Sequence, residues 1–182
     1  MKFNATELPG VFVIDLEPRG DDRGFFSRVF CIDEFSNHGL ETTFKQFNTS
    51  FSKVKHTLRG MHYQLGEAAE VKVIKCIRGS LYDVVLDLRP DSPTFGKWTA
   101  AELSAENRRM MYVPRGCAHG FMSLTEDVEM MYFVSAFYDP AQERAVRWND
   151  PAFGIEFPFP PALISDKDAN VRDFDRVWHL GE

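Results

Sequence analysis

The feature of this chain that most limits its fold is a repeated short apolar run closed by turn residues. In "VKVIKCIRGSLYDVVLDLR" two β-branched runs flank Arg78-Gly79-Ser80, which reads as a hairpin. "HGFMSLTEDVEMMYFVSAFY" reads as a second hairpin, turning near Thr125-Glu126-Asp127. Further runs lie in "GVFVIDL", in "GDDRGFFSRVF" and in "TFGKWTAAELSAENRRMMYVP". In "FKQFNTSFS", Phe44, Gln46, Asn48 and Ser50 alternate with Lys45, Phe47 and Thr49. Roughly ten short strands at this spacing predict an all-β fold, an antiparallel barrel of jelly-roll type with a few short helices. One helix is expected in "DEFSNHGL", with Asp33 at its start and Gly39 just past its end. The pattern changes after about residue 139. Pro158, Pro160 and Pro161 predict an irregular C-terminal part that wraps the barrel, and "DANVRDFDRVWHL" a short terminal helix or turn. Residues 1–182 are read as one domain.

Composition narrows the function. Hydrophobic residues make up 44% of the chain and 17 are phenylalanine, which suits a β-rich interior and argues against disorder. A net charge of −6, with no Lys/Arg run, argues against nucleic acid or an anionic membrane surface as partner, while leaving room for a local arginine pocket that takes an anion. Cys31, Cys76 and Cys117 are far apart and odd in number, a poor disulfide framework. The first residues, "MKFNATELPG", carry no apolar signal-peptide core, and no apolar stretch is long enough for a membrane span. A reducing cytoplasm is the expected location.

Ionisable groups recur in strand-like contexts. "TLRGMHYQ" holds Arg59 and His62 on either side of Gly60, Lys72 alternates with Ile74 and Cys76, and Asp83 with Val85 and Asp87. His119 lies in "PRGCAHGF" and Tyr132 in "EMMYFVS". Taken singly, each is a solvated edge charge or a satisfied core group; taken together, they suit a lined cavity. A His base, a Tyr acid and a Lys beside an oxyanion form a set for proton transfer at carbon. Spacing alone does not bring them together. His38, His56, His62, His119 and His179 include no HxH or HxxH pair, so no metal or other cofactor is expected. Neither a phosphate-binding glycine loop nor a GxSxG elbow occurs.

Six blocks, in order, carry a resemblance over residues 10–168: "DDRGFFSRVF", "TLRGMHYQ", "LYDVVLDLRPDSPTFGKW", "LSAENRRMMYVPRGCAHGF", "FYDPAQERAVRWNDPAFGI" and "ISDKD". The chain resembles the dTDP-4-dehydrorhamnose 3,5-epimerase family, the RmlC-like sugar-nucleotide epimerases. The resemblance implies a cupin-type jelly roll, a homodimer with exchanged N-terminal strands, and metal-free epimerisation at C3 and/or C5 of a nucleotide-linked 4-keto-6-deoxyhexose. Matched by motif, His62 is implied as the base, Asp168 as its carboxylate partner, Tyr132 as the acid and Lys72 as the enolate's cation. Arg23, Phe26, Arg28, Gln46, Asn48, Arg59, Asp83, His119, Tyr138, Glu143 and Lys167 are implied to hold or surround the substrate.

The chain also departs from that family's pattern. Arg28 stands where the family often carries a base-reading Glu, and Phe133 where a Lys often follows the acid Tyr. "EVK" replaces the common Gln-Gly-Lys before Lys72, a change read as peripheral. The alternatives weighed are a non-catalytic nucleotide-sugar-binding jelly roll, a 3,4-ketoisomerase on the same fold and a metal-dependent cupin enzyme.

Overall fold

The computed structural model describes residues 1–181. Among these the chain forms, in order, β1 (Lys2–Ala5), β2 (Phe12–Asp15), β3 (Arg19–Asp21), β4 (Gly24–Phe26) and helix α1 (Ile32–Ser36). Then come β5 (Gln46–Ser52), β6 (Thr57–Gln64), β7 (Lys72–Arg78), β8 (Ser80–Asp87) and β9 (Trp98–Ser104). β10 (Met110–Val113), β11 (Cys117–Ser123), β12 (Val128–Val134), β13 (Glu143–Ala145) and β14 (Leu163–Ile164) follow, with helices α2 (Asp166–Ala169) and α3 (Arg176–Leu180). One sheet runs β1-β2-β10-β7-β12-β5 and the other β13-β6-β11-β8-β9, with β14 added parallel to β6. β3 and β4 form a separate hairpin. Two facing antiparallel sheets with strands passing between them make the expected cupin-type jelly roll.

The two hairpins expected from the sequence are not hairpins. β7 pairs with β10 and β12, whereas β8 pairs with β11 and β9, so Arg78-Gly79-Ser80 is an arch from one sheet to the other. β11 and β12 likewise belong to opposite sheets. Gly79 makes the first corner with φ +73°, and a Cβ there would lie 2.4 Å from the Thr125 hydroxyl of the second arch. Across the sandwich, Ile74 and Cys76 of β7 pack in one cluster with Leu81 and Val85 of β8. The helix at 32–36 begins one residue before the expected Asp33. Gly39 (φ +68°) closes the turn after it, and the Leu40 N–H reaches the Phe35 carbonyl at 3.0 Å.

Much of each sheet's outer face is covered, which accounts for many of the phenylalanines. Phe3, Phe12, Phe30, Phe35 and Phe44 pack over Val73, Met110 and Phe133 of the first sheet. Phe35 is fully buried, a contribution of about 1.5–3 kcal/mol for a side chain of its class. Over the second sheet, Val84, Leu86 and Ala118 meet Val146, Ile155, Phe157, Phe174 and Leu180, so the irregular C-terminal part does wrap the barrel.

One irregularity in the second sheet positions the site. His119 of β11 faces His62 of β6, and Phe121 faces Arg59. Three residue steps on β6 therefore match two on β11, so β6 carries one extra residue, a β-bulge. Residues three apart on a regular strand face opposite sides. The extra residue returns Arg59 and His62 to the same side, where both line one hollow. Gly60 sits at φ +125°, and a Cβ on it would fall 2.4 Å from Gly120 Cα and 2.9 Å from the His119 carbonyl oxygen. Gly60→Ala is therefore expected to cost about 2–4 kcal/mol, from backbone strain and a clash with backbone that cannot move aside. Urea denaturation of the variant measures it; a loss under about 0.5 kcal/mol would show that β6 and β11 need no such close approach.

Candidate active site

The space between the sheets is apolar at one end and polar at the other. Along β7 the inward positions run from Cys76 and Ile74, in the core, to Lys72. On β12 they run from Met130 to Tyr132, and Tyr132 packs against the edge of that core. On β5 the half-buried side is Gln46, Asn48 and Ser50, while Phe47 and Phe51 face outward and are exposed. Two adjoining hollows, of about 330 and 280 Å³, open at the polar end and share His62, Lys72 and Tyr132. The imidazole comes from one sheet, and the phenol and the ammonium from the other.

His62 Nε2 lies 2.7 Å from Asp168 Oδ1. The carboxylate arrives from 106 residues further along the chain. β14 anchors that segment by pairing with Thr57 and Leu58 of β6, and the Ser165 hydroxyl caps α2 by accepting the Asp168 N–H at 3.1 Å. Asp168 is buried, and its second oxygen accepts the Gly60 N–H at 3.3 Å. Burial is the largest influence on this carboxyl and acts to raise its pKa. The hydrogen bond and charge of His62, with those from Gly60 and Ser165, outweigh it and hold the group below its ordinary value. With Nε2 committed to Asp168, Nδ1 is the imidazole nitrogen without a protein partner among the described residues.

The other side chains form paired sets around this centre. His119 Nε2 lies 2.7 Å from Asp83 Oδ1, and Asp83 is fully buried beneath it. Arg59 reaches the Ser52 hydroxyl at 3.3 Å and the Phe51 carbonyl at 3.1 Å, which holds the guanidinium at the rim. Glu143 accepts from Lys167 at 2.6 Å and from Tyr138 at 3.0 Å. Burial acts to raise the Glu143 carboxyl, but these two bonds hold it below its ordinary value. The Tyr132 phenol is raised, first by burial and then by the Glu70 charge, so it stays protonated through neutral pH.

The structure thus brings His62, Asp168, Tyr132, Lys72, Gln46, Asn48, Arg59, His119, Tyr138, Glu143 and Lys167 to the two hollows, with Asp83 behind His119. It does not bring Arg23, Phe26 or Arg28 there within one chain. They belong to or follow the β3–β4 hairpin, where Arg23 pairs with Asp21 at 2.6 Å and Arg28 with Glu34 at 3.2 Å. The "EVK" change is not peripheral: Glu70 lines the larger hollow and its carboxylate forms an ion pair with Lys72 at 2.9 Å. The signal in the sequence was a buried-strand lysine with a carboxylate two residues before it. Among the described residues, no three His, Cys, Asp or Glu side chains are grouped to hold a metal ion.

A jelly roll with an imidazole–carboxylate pair, a phenol and an ammonium around one cleft suits an acid–base isomerase of the cupin type. The family model described as dTDP-4-dehydrorhamnose 3,5-epimerase matches residues 5–176. A dTDP-4-dehydrorhamnose 3,5-epimerase of Shigella flexneri is 43% identical over 175 residues, 96% of each chain. The crystal structure of the enzyme of that name from Elizabethkingia anophelis superposes with a TM-score of 0.92 at 39% identity, over 96% of both chains. A dTDP-6-deoxy-D-glucose-3,5-epimerase from Legionella pneumophila, solved with dTDP-4-keto-L-rhamnose, superposes at 0.88 with 33% identity, covering 94% of this chain and 92% of that one. The chain belongs to the dTDP-4-dehydrorhamnose 3,5-epimerase family and is an isomerase that epimerises a nucleotide-linked 4-keto-6-deoxyhexose.

The depressed Asp168 carboxyl has a signed consequence for stability. Its folded pKa lies below the unfolded value near 3.8, so its charged form stabilises the fold above about pH 4. That contribution is lost as the pH falls through the folded value. Asp168→Asn should therefore lose less stability than the parent between pH 6 and pH 3. Urea midpoints at the two pH values measure this, and equal losses in both proteins would contradict the assignment.

Proposed function

We propose that this chain inverts C3 and C5 of a dTDP-linked 4-keto-6-deoxyhexose, with His62 as base and Tyr132 as acid. The observation that carries the reading is His62 Nε2 held 2.7 Å from the buried Asp168, in a cleft that Tyr132 and Lys72 also line from the opposite sheet. A ketone at C4 acidifies the hydrogens at C3 and C5, because the carbanion left behind delocalises as an enolate. His62 Nδ1 takes the proton, and Asp168 keeps the imidazole oriented and stabilises the imidazolium that forms. Lys72 faces the oxygen on which charge develops. Tyr132, protonated, returns a proton from the other face, and the centre inverts. One base serves both carbons if the ring turns over between the two events. Arg59, with Lys167 near the rim, supplies positive charge for the diphosphate.

The reading includes a homodimer. Phe25, Phe26, Phe47 and Phe51 are large apolar side chains left exposed on the β3–β4 hairpin and on edge strand β5. Contact with a second copy would cover them and carry the partner's hairpin, with residues equivalent to Arg23, Phe26 and Arg28, to the cleft. The three cysteines are free, which supports a place in the reducing cytoplasm; among the described residues no helix is long and apolar enough to cross a membrane.

Two variants test the chemistry by NMR of a dTDP-4-keto-6-deoxyhexose in D₂O. His62→Ala should lose deuterium exchange at C3 and C5 by roughly 10²–10⁴-fold while still binding dTDP. Tyr132→Phe should keep exchange at one or both carbons but lose inversion to a similar extent, because the proton returns to the face it left. Exchange that survives in His62→Ala would remove the imidazole from its role. Undiminished inversion in Tyr132→Phe would remove the phenol.

A further inference from the structure

Lys72 is asked to face an oxyanion, and the structure shows what fixes it. Its ammonium carries three N–H donors. One goes to the His62 carbonyl at 3.2 Å, and the ammonium is ion-paired with Glu70 Oε1 at 2.9 Å. No other protein acceptor takes an N–H of this ammonium among the described residues. Glu70 lies just ahead of β7, its side chain only 9% exposed, in the wall of the larger hollow. Its other oxygen accepts from the Gln64 side chain. Gln64 is itself fixed: its Nε2, whose two protons are shared among three acceptors, also lies 3.0 and 3.2 Å from the Ala68 and Phe137 carbonyls, and its Oε1 accepts the Asp139 N–H at 2.6 Å. A carboxylate this buried is costly without partners, and here both oxygens are held from rigid positions.

From this arrangement we propose that Glu70 is a positioning residue for the epimerisation: its carboxylate clamps Lys72 by the ion pair so that an N–H without a protein acceptor is presented to the C4 oxygen as the enolate forms. The inference rests on the reading of Lys72 as the enolate's partner. A clamp made before substrate arrives spares the reaction the entropy of fixing a four-carbon side chain. Glu70 also acts on the acid. Arg59 and His62 from β6, Lys72 from β7, His119 from β11, Glu143 from β13 and Lys167 and Asp168 from α2 share the cleft with Tyr132. After burial, Glu70 is the main influence that raises the Tyr132 phenol, and Arg59 opposes it. The same carboxylate thus steadies the cation and keeps the phenol able to donate.

Glu70→Gln tests this, since it keeps the shape and one acceptor and removes the charge. Initial rates with a dTDP-4-keto-6-deoxyhexose, from about pH 6 to about pH 10, are set beside dTDP affinity and thermal melting. The expected result is a kcat lowered roughly 10- to 100-fold, short of the 10²–10³-fold cost of losing an oxyanion donor outright. KM and dTDP affinity should stay within about threefold. The alkaline limb of kcat should move to lower pH, because removing a neighbouring negative charge makes phenolate formation easier. Glu70→Asp, which keeps the charge but shortens the reach, should lower kcat several-fold and leave the alkaline limb in place. It carries the test if the Gln variant does not fold, and an Asp variant with parental kcat would then overturn the inference. A Glu70→Gln protein that melts earlier yet keeps parental kcat and alkaline limb would assign Glu70 a structural role only. A raised KM at unchanged kcat would make it a ground-state contact. A folded parent that neither turns over nor exchanges deuterium would overturn the functional reading, and this inference with it.

Discussion

One extra residue in β6, pressed backbone to backbone against Gly120 of β11, is the constraint on which the site depends. In an unbroken strand Arg59 and His62 would face opposite sides of the sheet, one into the barrel and one into the C-terminal cover. The bulge puts both on the cleft side. At the same point the Gly60 N–H is turned to Asp168, so one irregularity aims the imidazole and helps seat its carboxylate. Glycine is needed on both strands because neither has room for a Cβ: on Gly120 it would fall 2.8 Å from the Arg59 carbonyl oxygen.

The barrel around that point is stable enough to hold unlike charges at close quarters because its two sheets are packed on both faces. The aromatic N-terminal cover and the C-terminal wrap bury the outer faces, while Ile74, Leu81, Val85, Leu103, Met111 and Phe121 fill one end of the interior. The other end is left to polar groups, and there each buried carboxylate meets a cation or an imidazole: Asp168 with His62, Asp83 with His119, Glu70 with Lys72. Such pairs add little net stability, and breaking one is expensive. Their value is geometric, since each fixes a side chain that lines the cleft.

The sequence made the existence of the strands legible, because short β-branched runs between turn residues have few other uses. It did not make the pairing legible. A strand covered on both faces shows no polar side, so the arch at Gly79 and the arch at Thr125-Glu126-Asp127 look like hairpins from within the chain. β1, β13 and β14 are too short to stand out at all. In the site, His62, Lys72 and Tyr132 announced themselves as ionisable groups among apolar neighbours. Asp168 did not, being 106 residues from its partner, and only the family resemblance joined them. Glu70 escapes notice because its tie is to Lys72, an ion pair that no spacing rule reports. Arg23, Phe26 and Arg28 lie away from the cleft of a single chain, so their place at a site is a question of assembly and not of this fold.

The central claim is that an imidazole and a phenol stand on opposite faces of one hexose ring. A crystal structure of the protein with an unreactive dTDP-hexose bound tests it most directly. The account predicts the ring between His62 and Tyr132, with C3 or C5 about 3–3.5 Å from the free imidazole nitrogen and the phenol beyond the other face. A ring lying outside the cleft, or with both groups against the same face, would contradict it.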